Sequence, residues 1–418
     1  MKTYVVGGAV RDELLGLPIV DRDHVVVGST PQQMIDAGFK PVGRDFPVFL
    51  HPDSREEYAL ARTERKVAPG YAGFAFHSAP DVTLEQDLAR RDLTINAIAK
   101  SDTGELIDPY DGQRDLQARV LRHVGPAFVE DPVRILRLAR FAARFTEFSV
   151  AAATLALMQQ MVASGEVDAL VAERVWQELS RGLMERKPSR MFALLQDCGA
   201  LARVLPELSP MSMPAMQAID ASADSPASSL AVRFAVLVLS MPLDDGSPRT
   251  DRVNALAKRI RAPVELRDLA LLACAEQSVI AAADTISADK LVSLLERCDG
   301  FRKPQRLLEL LDALSIAHAT NTGAISVEQA PESINQAHQR LRLALAAATA
   351  VDAGTVARAA TANPTDPTDP ADPADRVNPA GLPMPVNAGE RIKQAIHVAR
   401  VAAVEQALAT IAQSRQLR

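Results

Sequence analysis

The chain has 418 residues, 48% of them hydrophobic and 23% charged, the profile of a folded globular protein with more chain than one small core needs. Aromatic residues make up 4% with a single Trp, which argues against an aromatic-stacking RNA sheet and for aliphatic, helix-leaning cores. The net charge of −6 argues against a uniformly basic nucleic-acid coat, but seven arginines stand between Arg114 and Arg144 and six basic residues between Arg249 and Arg267, as a shaped polyanion site requires. Three scattered cysteines (Cys198, Cys274, Cys298) show no CxxC spacing and read as core thiols rather than a disulfide or zinc framework. The N-terminus carries no apolar core of signal-peptide length and no apolar run is long enough to span a bilayer, so a cytoplasmic protein without membrane contact is expected.

In chain order, residues 1–125 read as mixed α/β: TYVV before Gly7-Gly8, HVVV before a GST turn, a PVFL run and the strand-like EYALAR. After Pro126 the texture turns helical, first in EDPVRILRLARFAAR, where Asp131-Pro132 suits a helix start, then in AERVWQELSRGLMER and SRMFALLQDCGALARVL. Trp176 is expected to anchor the packing of helices. Prolines 206, 210 and 214 mark a loop, and a further helical body follows. Residues 363–387 recur in Pro and Asp and are read as an exposed linker, after which GERIKQAIHVARVAAVEQALATIAQ returns to a helical pattern able to dock back.

Asp21 and Asp23 lie two apart in a strand pattern and project to one face, where their charges repel unless a cation sits between them. Hard divalent ions such as Mg²⁺ are held by one or two carboxylates together with substrate phosphates, so phosphoryl or nucleotidyl transfer is the chemistry this pair suits. Upstream, the Gly7-Gly8 turn is expected to open a helix with Arg11 in its first turn, an arrangement that lets backbone N–H groups approach phosphate. In RRDLTINA, Arg91 can reach phosphate or sugar, while Asp92 and Asn96 can bond a ribose or brace the loop. At 100° per residue, Glu130, Arg134, Arg137 and Arg140 fall within an arc of about 120° with Asp131 on its flank, which builds a charged helix face.

Hydrophobic-Gly-Gly followed by Asp21-x-Asp23 resembles the nucleotidyltransferase superfamily that includes DNA polymerase β, with Glu57 similar to its third carboxylate. RRDLTINA (Arg90–Ala97) and Glu130-Asp131-Pro132-Val133-Arg134 resemble, more specifically, the bacterial class II CCA-adding enzymes, or tRNA nucleotidyltransferases. GRDFPVFLH, LARTERK, GYAGFAF and DPYDG match that family in order and spacing, so the resemblance covers the first 140 residues and thins beyond about residue 200. It implies an α+β fold: a nucleotidyltransferase head (1–125), a helical neck bearing the base template (126–205), a helical body (206–362), the linker (363–387) and a C-terminal helix (388–418).

The resemblance implies catalytic Asp21, Asp23 and Glu57, with Mg²⁺ on Asp21 and Asp23, and nucleotide binding by Gly8, Arg11, Arg91, Asp131, Arg134, Arg137 and Arg140. Asp131 and Arg134 would read the Watson–Crick edge of C or A, and residues 66–80 would form a loop that moves as specificity switches. The implied partners are CTP, ATP and tRNA, engaged at its 3′ end and along its acceptor and elbow region. Relatives often carry an HD phosphohydrolase motif in the body, but Leu239 and Ser240 stand at its places and no histidine occurs from residue 124 to 317, so hydrolytic activity is expected to be absent. The implied activity is template-free addition of C, C and A. A poly(A) polymerase, a partial CC- or A-adding enzyme and a tRNA-binding protein without catalysis remain the alternatives.

Overall fold

The computed structural model describes all residues except 43–47, 67–73, 226–227, 243–245, 322–331, 363–387 and 417–418. The expected linker therefore lies outside the described residues, as do parts of GRDFPVFLH and GYAGFAF. The chain divides into two compact units, Met1–Arg267 and Asp268–Arg418. The division falls inside the segment 206–362, so the expected head and neck share the first unit with the opening helices of the expected body.

Seven strands build the sheet of the first unit: β1 (Lys2–Val6), β2 (Asp23–Val27), β3 (Lys40–Val42), β4 (Val48–Leu50) and β5 (Glu57–Leu60), then, beyond the hairpin of β6 (Thr63–Lys66) and β7 (Phe74–His77), β8 (Ala99–Ser101) and β9 (Leu106–Ile107). Their order is β3-β4-β5-β2-β1-β8-β9, with β2 and β5 parallel and the other neighbours antiparallel. Strand β7 occupies part of the stretch expected to be a mobile loop. β-Branched Val25 and Val26 point to opposite faces of β2, as strand alternation requires. Val25 joins Val6, Leu88 and Ala99 in one core layer, and Val26 joins Met34, Phe49 and Leu60 in the other.

The helices of this unit include α1 (Gly8–Leu14), α2 (Pro31–Asp36), α3 (Leu84–Ala89), α4 (Gly112–Ala118), α5 (Val133–Arg144), α6 (Ala152–Ala163), α7 (Ala172–Leu183) and α8 (Ser189–Asp197), of which α1, α5, α7 and α8 fall where helices were expected. Helix α5 begins where Asp131 accepts the Val133 N–H at 3.1 Å, with Pro132 in helical conformation just before it. All but two of its twelve residues are buried, arginines 134 and 140 included, so the charged face drawn from the sequence is an internal one. Glu130 ends a separate 3₁₀ turn, Pro126–Glu130, rather than beginning the helix. The long segment after residue 189 breaks at Gly199, whose φ of 81° ends α8 and starts a short helix, Ala200–Val204. Trp176 on α7 packs edge-on to Phe234 with ring centroids 5.9 Å apart, the anchoring contact its sequence context predicts.

Every regular element described in the second unit is a helix. Its last helix, Ala388–Gln416, docks on Ala288–Arg297 through His397, which bridges Glu296 at 3.1 Å and Asp289 at 3.0 Å. Arg400 stacks over Phe301 at 3.7 Å. No single helix among the described residues is long and apolar enough to cross a membrane.

Candidate active site

Register brings the acidic residues together. Asp23 opens β2 opposite Val6, the last residue of β1, and stands beside Glu57, the first residue of β5, on its other side. Glu57 is thus placed by strand pairing next to a carboxylate 34 positions earlier in the chain, and Asp21 lies two positions before Asp23, ahead of the strand rather than in it. All three are exposed, and no described side chain pairs with any of them. Such a cluster is electrostatically unfavourable by itself, and its hard oxygen donors fit a divalent cation. Among the described residues no three His, Cys, Asp or Glu side chains converge closely enough to hold an ion alone. Two carboxylates completed by phosphate oxygens are the usual set for Mg²⁺.

Because Val6 pairs with Asp23, the Gly7-Gly8 turn is carried to the same sheet end. Gly7 has φ 71°, and a Cβ there would lie 2.9 Å from the Arg91 Nη1, whereas a Cβ on Gly8 would touch only the Arg11 guanidinium at 3.4 Å. The constrained glycine is therefore Gly7, although Gly8 is the one the family pattern singles out. Arg91 lies against this turn and donates to Asp87 at 3.3 Å, while its Nε is buried without a hydrogen-bond partner. A buried donor left open beside a glycine turn is the feature an anion would satisfy.

Arg91 is aimed by α3, whose N-terminus is closed by the Thr83–Gln86 capping box. Buried Asp87 on that helix also takes Arg90 at 2.6 Å and the Arg62 N–H at 3.3 Å. Burial pushes the Asp87 carboxyl up, but Arg90 and Arg91 hold it below the usual carboxylate range. Behind them, Asp92 accepts from the Leu93 N–H at 2.8 Å, Asn96 at 2.9 Å and Arg137 at 2.8 Å. Burial alone would raise its carboxyl, yet Arg137, Asn96 and that N–H together keep it far below the ordinary value. Gly112 of DPYDG packs so tightly under this loop that a Cβ would come within 2.3 Å of the Thr94 carbonyl.

Several arginines expected at the nucleotide are braces in this structure. Arg11 is 3% exposed; its Nε donates to Asp12 at 2.9 Å, its Nη1 to Asn96 at 2.5 Å, and it lies over Phe141 and Phe145. Its burial follows from helix periodicity, which turns the first-turn arginine inward against α5. Arg140 is buried on Glu178 at 2.6 Å, and Arg137 joins Asp92 to Glu178. Arg134 donates to the carbonyls of Ala127 at 2.7 Å and Arg90 at 2.6 Å. Asp131 is gripped by Arg174 of α7, a residue outside the motifs that point to the site. Its only sequence signal is its place in AERVW, 43 positions downstream of Asp131.

The site thus combines an exposed carboxylate group, a constrained glycine turn beneath an arginine with an open donor, and an Asp/Arg element at the start of α5. Residues 3–122 match the Poly A polymerase head domain, and residues 147–211 match the probable RNA- and SrmB-binding site of polymerase A. The multifunctional CCA protein of Burkholderia multivorans is 52% identical over 98% of this chain and 99% of its own length. The chain belongs to the multifunctional CCA protein family. Its fold is shared by solved CCA-adding enzymes at lower identity. The Bacillus stearothermophilus CCA-adding enzyme in complex with CTP superposes with a TM-score of 0.66 at 22% identity over 100% of this chain and 95% of that one. The Thermotoga maritima CCA-adding enzyme complexed with tRNA gives 0.62 at 20% identity over 98% and 91%. These neighbours confirm the expected α+β architecture, a nucleotidyltransferase head followed by helices.

Proposed function

We propose that this chain adds C, C and A in turn to the 3′ end of tRNA from CTP and ATP, releasing pyrophosphate and using no nucleic-acid template. The observation that carries the reading is the pairing of Asp23, two residues after Asp21, with Glu57 at the sheet end that bears the Gly7 turn and Arg91, in a chain whose relatives are named CCA proteins along their whole length. Asp21 and Asp23 would hold Mg²⁺, with Glu57 adding negative charge alongside. A divalent cation bound there lowers the pKa of the RNA 3′-hydroxyl and stabilises charge on the departing pyrophosphate. The Gly7 turn lets the triphosphate come close to the backbone, and the Arg91 guanidinium neutralises it. Arg11, Arg137 and Arg140 act from behind, holding Asp92, Asn96 and α5 in place.

Base choice falls to Asp131, which can accept from an exocyclic amino group, and to Arg134, which can donate after exchanging one carbonyl contact. Cytosine and adenine share an amino group at this edge, so one element can serve both. The relatives are called multifunctional, but at the position an HD motif would occupy Leu239 is buried and Ser240 donates to the Val236 carbonyl at 2.8 Å. Neither side chain offers an imidazole or carboxylate, and we assign this chain the transferase activity alone.

The test is extension of a tRNA transcript lacking its last three nucleotides, with Mg²⁺ and CTP, ATP or both, resolved at single-nucleotide length. Two additions with CTP and a stop at three with both support the reading. The match to a Poly A polymerase head makes continued A addition the second outcome to look for, and it would replace CCA addition with poly(A) synthesis. A stop at two would mean a CC-adding enzyme, and tRNA binding without extension a non-catalytic protein.

A further inference from the structure

Asp131 does not stand free at the start of α5. The Arg174 Nη1 donates to its Oδ1 at 2.9 Å and the Nη2 to its Oδ2 at 2.7 Å, a planar two-bond fork. The Val133 N–H donates to Oδ1 as well, at 3.1 Å. A carboxylate offers about four acceptor positions. Three are filled by protein, and the one left over is on Oδ2. The fork also fixes the plane of the carboxylate, because rotation would break both bonds. Helix α7, which carries Arg174, is tied to α5 by the Glu178–Arg140 pair at 2.6 Å, so the fork hangs from a rigid support.

We propose that Arg174 is the positioning residue for base selection: it locks Asp131 into a single orientation with one open acceptor. This rests on the reading of Asp131 as part of the base template. One open acceptor on a fixed carboxylate takes one amino N–H, which cytosine and adenine both present. Uracil and guanine present a carbonyl oxygen at the corresponding place, and two acceptors facing each other repel. Without Arg174 the carboxylate can turn, expose other lone pairs and take up water that a carbonyl-bearing base can bond through. Arg174 itself touches no base in this scheme; it acts on selectivity through Asp131.

The test uses Arg174→Met, Arg174→Lys and Asp131→Asn in the full chain, with kcat and KM measured for CTP, ATP, UTP and GTP on tRNA lacking CCA. Thermal melting serves as the control for folding. For Arg174→Met, discrimination of CTP and ATP against UTP and GTP should fall by about tenfold or more, mainly through KM. Arg174→Lys, able to make one bond of the two, should recover part of it. A merely structural arginine would lower the melting temperature and kcat for all nucleotides alike and leave the ratios unchanged. Wild-type ratios in both Arg174 variants, with Asp131→Asn blurred, would overturn the role of Arg174 alone. Wild-type ratios in Asp131→Asn as well would overturn the template reading with it. If Arg174→Met fails to fold, the lysine variant decides by the same ratios.

Discussion

Replacing Asp92 by Asn removes one charge from the buried junction between the RRDLTINA loop and α5. Asn can still accept from the Leu93 N–H and Asn96, but it turns an amide donor towards the Arg137 donors that now reach Asp92 at 2.8 Å. Exposed ion pairs contribute at most about 1 kcal/mol. Stranding one partner of a buried pair costs about 3–5 kcal/mol. The Asp92 side chain is 8% exposed and that of Arg137 35%, which places the loss between those limits, at about 2–3 kcal/mol. For a unit of this size each kcal/mol moves the melting temperature by about 2–4 °C, so calorimetry should show a drop of about 4–12 °C in the first transition.

The pH dependence adds a second check. The Asp92 carboxyl titrates below its unfolded value, which lies near 3.9 for an Asp side chain. Its stabilisation is therefore complete above that value and disappears as pH falls towards the folded pKa. The gap between wild type and variant should stay flat from about pH 8 to 5 and narrow only below about pH 4. An unchanged melting temperature at pH 7, or a gap that varies between pH 5 and 8, would refute the ion-pair account.

Asp23→Asn should cut nucleotide addition by about a thousandfold or more while leaving tRNA affinity and melting temperature intact, or the latter slightly raised, since it relieves repulsion with Asp21 and Glu57. A parallel loss of tRNA binding would speak against a metal-holding role. Gly7→Ala, placed at a positive φ with its methyl 2.9 Å from Arg91, should raise KM for both nucleotides and destabilise by about 1–3 kcal/mol, whereas Gly8→Ala should do neither. The reverse ranking in steady-state kinetics would displace Gly7 from the phosphate turn. Incubation with Ni²⁺ and either p-nitrophenyl phosphate or 2′,3′-cyclic AMP should release no product. Turnover above buffer would reveal a hydrolytic site independent of Leu239 and Ser240.

What could be read from the sequence was what depends on near neighbours. The Gly-Gly turn and the Asp131-Pro132 helix start are local patterns, and each appears where its spacing places it, whereas the strand expected to carry both Asp21 and Asp23 begins only at Asp23. Glu57 became a neighbour of Asp23 only through the parallel pairing of β2 and β5, which a single strand's pattern does not encode. Helical spacing correctly grouped Arg134, Arg137 and Arg140, but periodicity cannot say whether a charged face meets solvent or other charges. Here Asp92, Glu178 and backbone carbonyls meet it, so arginines expected to greet a nucleotide are largely engaged by protein. Arg174 escaped notice for the same reason, since its partner is distant in sequence and its meaning lies in the pairing.

The ties from α5 to the elements before residue 125 bear on how this protein can be cut and recombined. Arg144 holds Asp12 at 2.9 Å, Arg137 holds Asp92, and Arg134 holds the Arg90 carbonyl. A catalytic head excised at residue 125 would leave Asp92 without the Arg137 counterion and Asp12 with Arg11 alone of its two arginines, and would remove the cover from Phe-lined Arg11. The portable module is the head together with α5, α7 and α8, since α8 packs on α5 as closely as α7 does and Glu185 before it pairs with Arg140. Chimeras between family members should therefore be joined after Asp197, the end of α8, rather than at the apparent change from strands to helices.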